Sequence, residues 1–194
     1  MSTPEVHLDF PATWSAKVLQ RPPMIAPARQ FIYPQFVPGE EEAMARGALF
    51  AEVRPASGGL FLAQCALGFH SPDLPSGLWA CPHADELLAV AGGYAYLVNT
   101  LAPERCVFLE QRPVTAVIAA PDAGLILLAG FHNVVALGAE GVAWKSKRLS
   151  WEGVTLGQVR EGKLHGTGWH MMEDRDVPFV MDLGSGEHSG GGFD

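Results

Sequence analysis

The sequence predicts an all-β fold: a small, incomplete or irregular stack of antiparallel four-stranded sheets behind a Pro-rich N-terminal arm. Three observations point there. From residue 48 onward the 194-residue chain is written as short apolar runs, rich in Val, Leu and aromatics, with turn signals such as Pro121-Asp122-Ala123-Gly124 and Glu161-Gly162 between them. The runs are too short and too often broken by glycine to be helices. A junction of strand, glycine and bulky residue recurs at a fixed interval: Gly92 to Gly130 is 38 residues, and Gly130 to Gly168 is 38 again.

Residues 1–40 hold seven of the fifteen prolines. Proline removes an amide donor and pushes its predecessor towards extended conformations, so this segment reads as an extended arm rather than regular structure. It also carries Phe10, Trp14, Phe31, Ile32, Tyr33 and Phe36, a large apolar load for a free tail. The arm is therefore expected to pack on the body, through Phe31, Tyr33 and Phe36. Residues 41–194 are read as a single β domain. At its start, "GEEEAMARGAL" (39–49) is the best helical stretch, with Glu near its start and Gly47 to stop it.

The body then reads as units. Each opens with a strand pair across a tight turn: "GLWACP/ELLAVAG", "VTAVIAA/GLILLAG" and "VTLGQV/KLHGTGW". A third strand follows each glycine ("YAYLV", "NVVAL", "VPFVMDL"), and then a fourth segment ("CVFLE", "GVAWKSK", "GEHSGG"). Four antiparallel strands at a period near 40 make the supersecondary unit of a propeller blade. Three units cover 77–194, and "ALFAEVR" and "GLFLAQCAL" precede them. A closed ring needs at least about four blades. The chain is thus read as a four-bladed ring completed by 48–66 and the arm, or, in preference, as an open, propeller-like fan whose bare edges invite the arm or a second copy.

The segment "GLILLAGFHNVVALGAEGVAWKSK" resembles a repeat of the pyrroloquinoline-quinone-type or tryptophan–aspartate propeller families, with Trp144 where the first of these places its tryptophan. The resemblance covers about residues 77–194 and implies a fold, since such propellers host many roles. The neighbouring units depart from it: Cys106 stands where Trp144 stands, and "SGGGFD" ends the last unit as a flexible tail. No quinone-binding set carries over, so no cofactor is expected. The blocks "PGEEEAMARGAL" and "GLWACP…AVAGGYAY" are also similar to an uncharacterised bacterial family, which brings no activity with it.

Hydrophobic residues make up 48% of the chain, charged residues 18%, and the formal net charge is -8. The densest basic stretch, Lys145-Ser146-Lys147-Arg148, is short, so no nucleic-acid partner is expected. "MSTPEVHLDF" lacks the pattern of a secretory signal, and no apolar run has bilayer length, so no membrane partner is expected either. Cys65, Cys81 and Cys106 are odd in number and widely spaced, which predicts reduced thiols and a cytoplasmic location.

The sequence offers few candidates for chemistry. His132, His165 and His170 lie at or near repeat-equivalent places. Converging imidazoles could bind a metal or an anion and serve a hydrolase or metal-dependent enzyme. Tyr94 stands at the matching point of the first unit, which favours a structural hydrogen-bonding tip and no metal. "CPHAD" (81–85) and "MEDRDVP" (172–178) carry metal-capable and paired acidic side chains, without zinc-type spacing. Trp151 beside Arg148 has the composition of an interaction hot spot. The expectation is a binding or scaffold module rather than an enzyme. Its candidate contacts are Trp151, Arg148, His132, His170 and Tyr94, and its partner is an unknown protein or small molecule, or a second copy through open sheet edges.

Overall fold

The structure, a computed structural model, describes residues 4–193. It forms two compact units, the first ending at Pro113 and the second beginning at Val114. The chain is all-β, with four open sheets and no closed barrel among the described residues.

Unit 1 contains β1 (Glu5–His7), β2 (Trp14–Leu19), β3 (Arg29–Tyr33), β4 (Ala48–Pro55), β5 (Phe61–Ala66), β6 (Gly77–Ala80), β7 (Glu86–Ala91), β8 (Tyr94–Asn99) and β9 (Cys106–Phe108). Strands β6 to β9 form the antiparallel meander that the first repeat predicts, and β1 joins β6 in parallel, Glu5 opposite Gly77. The second sheet has the order β2-β4-β5-β3, with β3 parallel to β5. The Pro-rich segment therefore holds three strands, where no regular structure was expected. Its prolines fall outside them: Pro4 before β1, Pro11 before β2, Pro22, Pro23 and Pro27 between β2 and β3, and Pro34 just after β3.

Strands β2 and β3 point the same way at opposite edges of one sheet, so residues 20–28 must cross that sheet from end to end. The side-chain alternation places Leu49, Ala51, Val53, Phe61 and Cys65 inward, all buried. The two sheets of unit 1 are tied by rings. Tyr33 and Tyr96 are fully buried, and the Tyr96 hydroxyl donates to the Ala66 carbonyl at 2.8 Å. The Trp14 indole donates to the Glu86 carbonyl at 3.0 Å.

The helix expected over 39–49 is only a 3-10 turn at Ala43–Arg46. Pro38 and Gly47 leave too few residues to offset the cost of nucleating an α-helix, and Gly47, at φ 92, turns the chain into β4.

Unit 2 contains β10 (Ala116–Ala120), β11 (Leu125–Ala129), β12 (Val134–Gly138), β13 (Gly141–Lys145), β14 (Val154–Arg160), β15 (Lys163–His170), β16 (Arg175–Asp182) and β17 (His188–Gly190). These are two meanders in sequence order, matching the second and third repeats. Their shared core includes Leu127, Val134, Ala136, Leu149, Leu164, Phe179 and Met181. The half-buried Trp144 on β13 joins them, its indole donating to the Leu183 carbonyl at 2.8 Å.

The last residues are not the free tail expected of "SGGGFD". Ser189 and Gly190 pair in β17, the Gly192 amide donates to the Leu149 carbonyl at 2.7 Å, and the Phe193 ring lies 4.8 Å from that of Trp151. Glycine permits this, because a Cβ on Gly192 would collide with the Trp169 carbonyl. Asp194 lies outside the described residues.

The periodic glycines are equivalent in two cases and shifted in the third. Gly92 and Gly130 each follow directly on the second strand of their repeat, whereas Gly168 sits inside β15, paired with Val154 and Val177.

Candidate binding cleft

Unit 1 carries a cleft of about 540 Å³ between residues 33–37 and β9. Tyr33, Phe36 and Val37 line one side, and Cys106, Val107 and Phe108 the other, with Glu104, Glu110 and Arg112 around it. Side chains alternate along a strand, so a cavity that meets three consecutive residues lies against the strand's edge rather than either face. Strand β9 is the edge of its sheet.

Its hydrogen bonds show what that edge offers. The Leu109 amide donates to the Ala95 carbonyl at 2.9 Å, and the Asn99 amide donates to the Arg105 carbonyl at 3.3 Å. Antiparallel pairing bonds alternate residues, so Val107 turns its backbone to Leu97 on β8. Cys106 and Phe108 then turn their N–H and C=O groups outward, along the cleft.

The opposite wall is held by the "YPQFVP" segment. The Tyr33 hydroxyl is tied down, donating to the Pro103 carbonyl at 2.6 Å. Phe36 has the left-handed backbone φ of 52 that favours glycine, yet its side chain is fully exposed. The sequence reading placed Phe36 among the buried anchors. The structure instead has Tyr33 buried, Phe31 half-buried against Phe61, and Phe36 projecting to solvent.

A charged clasp lies beside the cleft. The Glu40 side chain, 9% exposed, accepts a bond from Arg46 at 2.5 Å, accepts another from the Tyr94 hydroxyl at 2.5 Å, and lies 3.7 Å from Arg112. Burial opposes its charge, but the bonds from Tyr94 and Arg46 and the charges of Arg46 and Arg112 outweigh it and hold the carboxyl below its ordinary 4.5. The Arg112 guanidinium sits 4.8 Å over the Phe108 ring, so its charge is committed on both sides. Burial pushes the Cys106 thiol up to about 12, which keeps it protonated and unreactive at neutral pH.

Tyr94, named from the repeat, is thus part of the clasp. The other named residues belong to unit 2. His170 Nδ1 accepts the Glu173 amide at 3.1 Å, within its own hairpin turn. His165 Nε2 accepts a bond from Arg160 at 3.3 Å. His132 Nδ1 lies 3.4 Å from Arg148, whose guanidinium also donates to the Ser150 and Trp151 carbonyls. That guanidinium stacks 5.1 Å from the Trp151 ring and 4.3 Å from Phe193, so Trp151 and Arg148 are half-buried in a stack.

In "CPHAD", His83 caps the Asp85 amide at 3.2 Å and Asp85 accepts the Thr13 hydroxyl at 2.5 Å. In "MEDRDVP", Glu173 pairs with Arg175 on the surface. No group of three or more His, Cys, Asp or Glu stands ready to hold a metal ion among the described residues. No helix among them is long and apolar enough to cross a membrane.

Sequence reasoning missed the cleft, its outward strand edge and the role of Glu40. The outlying φ of Phe36 left no sequence signal, since "PQFVPG" reads as an ordinary Pro-flanked turn.

Comparison with known proteins adds fold resemblances only. No family model matches the chain, and no curated protein does. Among solved structures, a TolB-type protein of Agrobacterium tumefaciens aligns at 14% identity and a TM-score of 0.34, covering 63% of this chain and 47% of its own. The WD40 domain of SCAP from fission yeast aligns at 12% identity and 0.34, covering 70% and 38%. The N-terminal domain of Nup159 aligns at 11% identity and 0.36, covering 97% and 53%. The chain thus spans about half, or less, of each protein it resembles.

Proposed function

We propose that the protein is a binding module rather than an enzyme, and that the cleft between residues 33–37 and β9 holds a segment of a protein partner. One observation carries this reading. A phenylalanine at φ 52, its side chain wholly in water, costs backbone strain and returns no burial within the chain. Such a residue is understood most simply if another molecule covers it. Its place at the lip of a cleft with an open strand edge supplies the rest. The three free thiols suit a reducing compartment such as the cytoplasm.

Relief of the strain is measurable. Phe36→Gly is expected to raise stability by about 0.5–1 kcal/mol, because glycine adopts left-handed φ freely and no buried contact is lost. Thermal melts of Phe36→Gly and Phe36→Ala beside the parent check this. A glycine variant less stable than the parent would show that Phe36 packs usefully in the free chain. Binding is tested by placing the photocrosslinking residue benzoyl-phenylalanine at position 36 in the protein's native cells, with Val142, 56% exposed on unit 2, as control. A discrete protein adduct at 36 and none at 142 is expected. No adduct at 36, or the same adducts at both, overturns the reading.

A further inference from the structure

We propose that the partner segment enters the cleft as an added strand on β9, and that it carries lysine or arginine near its ends; this rests on the cleft being the binding site. The first half follows from the backbone. The outward groups of Cys106 and Phe108 supply two donors and two acceptors in strand geometry, facing open space rather than a neighbouring strand. A segment laid there in extended form satisfies all four groups, and its alternate side chains meet the exposed Val107 on one face and the Phe108 side on the other.

The second half follows from charge. Glu104 and Glu110 flank the strand at its two ends, are both exposed, and make no ion pair among the described residues. The cation that also lines the cleft, Arg112, is already paired with Glu40 and stacked on Phe108. Two unpaired carboxylates, one beyond each end of the strand edge, favour a cationic segment. They would repel an acidic one.

The probes are the peptide acetyl-Lys-Val-Thr-Val-Lys-amide, its counterpart with glutamate at both ends, and two N-methylated forms of the basic peptide, one methylated at both valines and one at the threonine. Binding is followed by amide resonances and amide hydrogen exchange. The basic peptide is expected to slow exchange at Cys106 and Phe108 and leave Val107, already bonded to β8, unchanged. It should bind about tenfold tighter than the acidic one. One of the two N-methylated forms should lose about tenfold, because only one set of its amides faces β9. Glu104→Gln with Glu110→Gln should narrow the preference for the basic peptide and flatten its salt dependence.

Equal binding of the basic peptide and both methylated forms, or peptide-induced shifts without protection of Cys106 and Phe108, overturns strand addition and leaves the cleft reading standing. Equal or tighter binding of the acidic peptide overturns the charge assignment. Protection of Cys106 and Phe108 that rises with protein concentration alone makes a second copy the occupant and overturns the proposal. If no peptide binds while the adduct at position 36 forms, this inference fails and the cleft reading survives. If that adduct is also missing, both fail.

Discussion

Gly92→Ala is expected to destabilise the protein by about 3 kcal/mol, from left-handed strain plus overpacking. Gly92 has φ 53, and a Cβ there would stand 2.6 Å from the Phe69 carbonyl oxygen. The chain cannot yield cheaply. The Phe69 amide donates back to the Gly92 carbonyl at 2.9 Å, and the Gly92 amide donates to Ser76 at 2.9 Å. Gly124→Ala is the matched control, since Gly124 has φ 64 with nothing within 4 Å of a new Cβ. It should cost only the strain, about 1 kcal/mol. Chemical denaturation of both variants separates the contact from the strain. Equal losses would show that the Phe69 contact relaxes freely.

Glu40→Ala is expected to cost about 1–3 kcal/mol, mainly because it leaves the Tyr94 hydroxyl without its acceptor; Arg46 and Arg112, 33% and 38% exposed, lose their partner but keep water. The loss should be pH-dependent in one direction. The folded state holds the Glu40 carboxyl below its ordinary 4.5, so its contribution is fully present above that value. It fades as pH falls through the lowered folded value, as the folded form takes up the proton. Stability measured from pH 7 down to pH 3 should therefore fall less steeply in Glu40→Gln than in the parent. Parallel curves would remove Glu40 from the acid sensitivity. Because residues 39–46 and Arg112 meet at this carboxylate, Glu40→Ala should also loosen the Phe36 wall.

The repeats were legible because each is a local event. Two strands across a tight turn, a glycine, then a third strand write themselves in consecutive residues, and β6–β9, β10–β13 and β14–β17 follow that text. The last meander slipped by three residues because Gly168 serves close packing against the Leu149 carbonyl inside β15 instead of a turn. The arm was only half legible. Proline density suggested an extended chain, but pairing is decided by partners far along the sequence, and β1 meets β6 more than 70 residues later.

The cleft shows the same limit more sharply. Tyr33 reaches Pro103 across 70 positions, and Tyr94 reaches Glu40 across 54. Glu40 read as a helix-starting carboxylate because its true partners are invisible to local pattern. The histidines were conspicuous by periodicity, but a side chain repeated at a hairpin end has a hairpin to fasten, as His170 does.

The two units also differ in how far apart their strand partners lie along the chain, and this bears on how the protein is made. In unit 2 every pairing joins strands consecutive in sequence, so each hairpin can close as it leaves the ribosome. In unit 1, β1 must wait for β6, and β3 must wait for β5. During synthesis the amino-terminal strands therefore spend the interval with their edges bare, the state in which chains pair wrongly with one another. The stretch from residue 10 to residue 39 that spans this wait carries Lys17, Arg21 and Arg29, no acidic residue and six prolines. Like charge and missing amide donors discourage nascent copies from zipping together before the proper partner strand emerges.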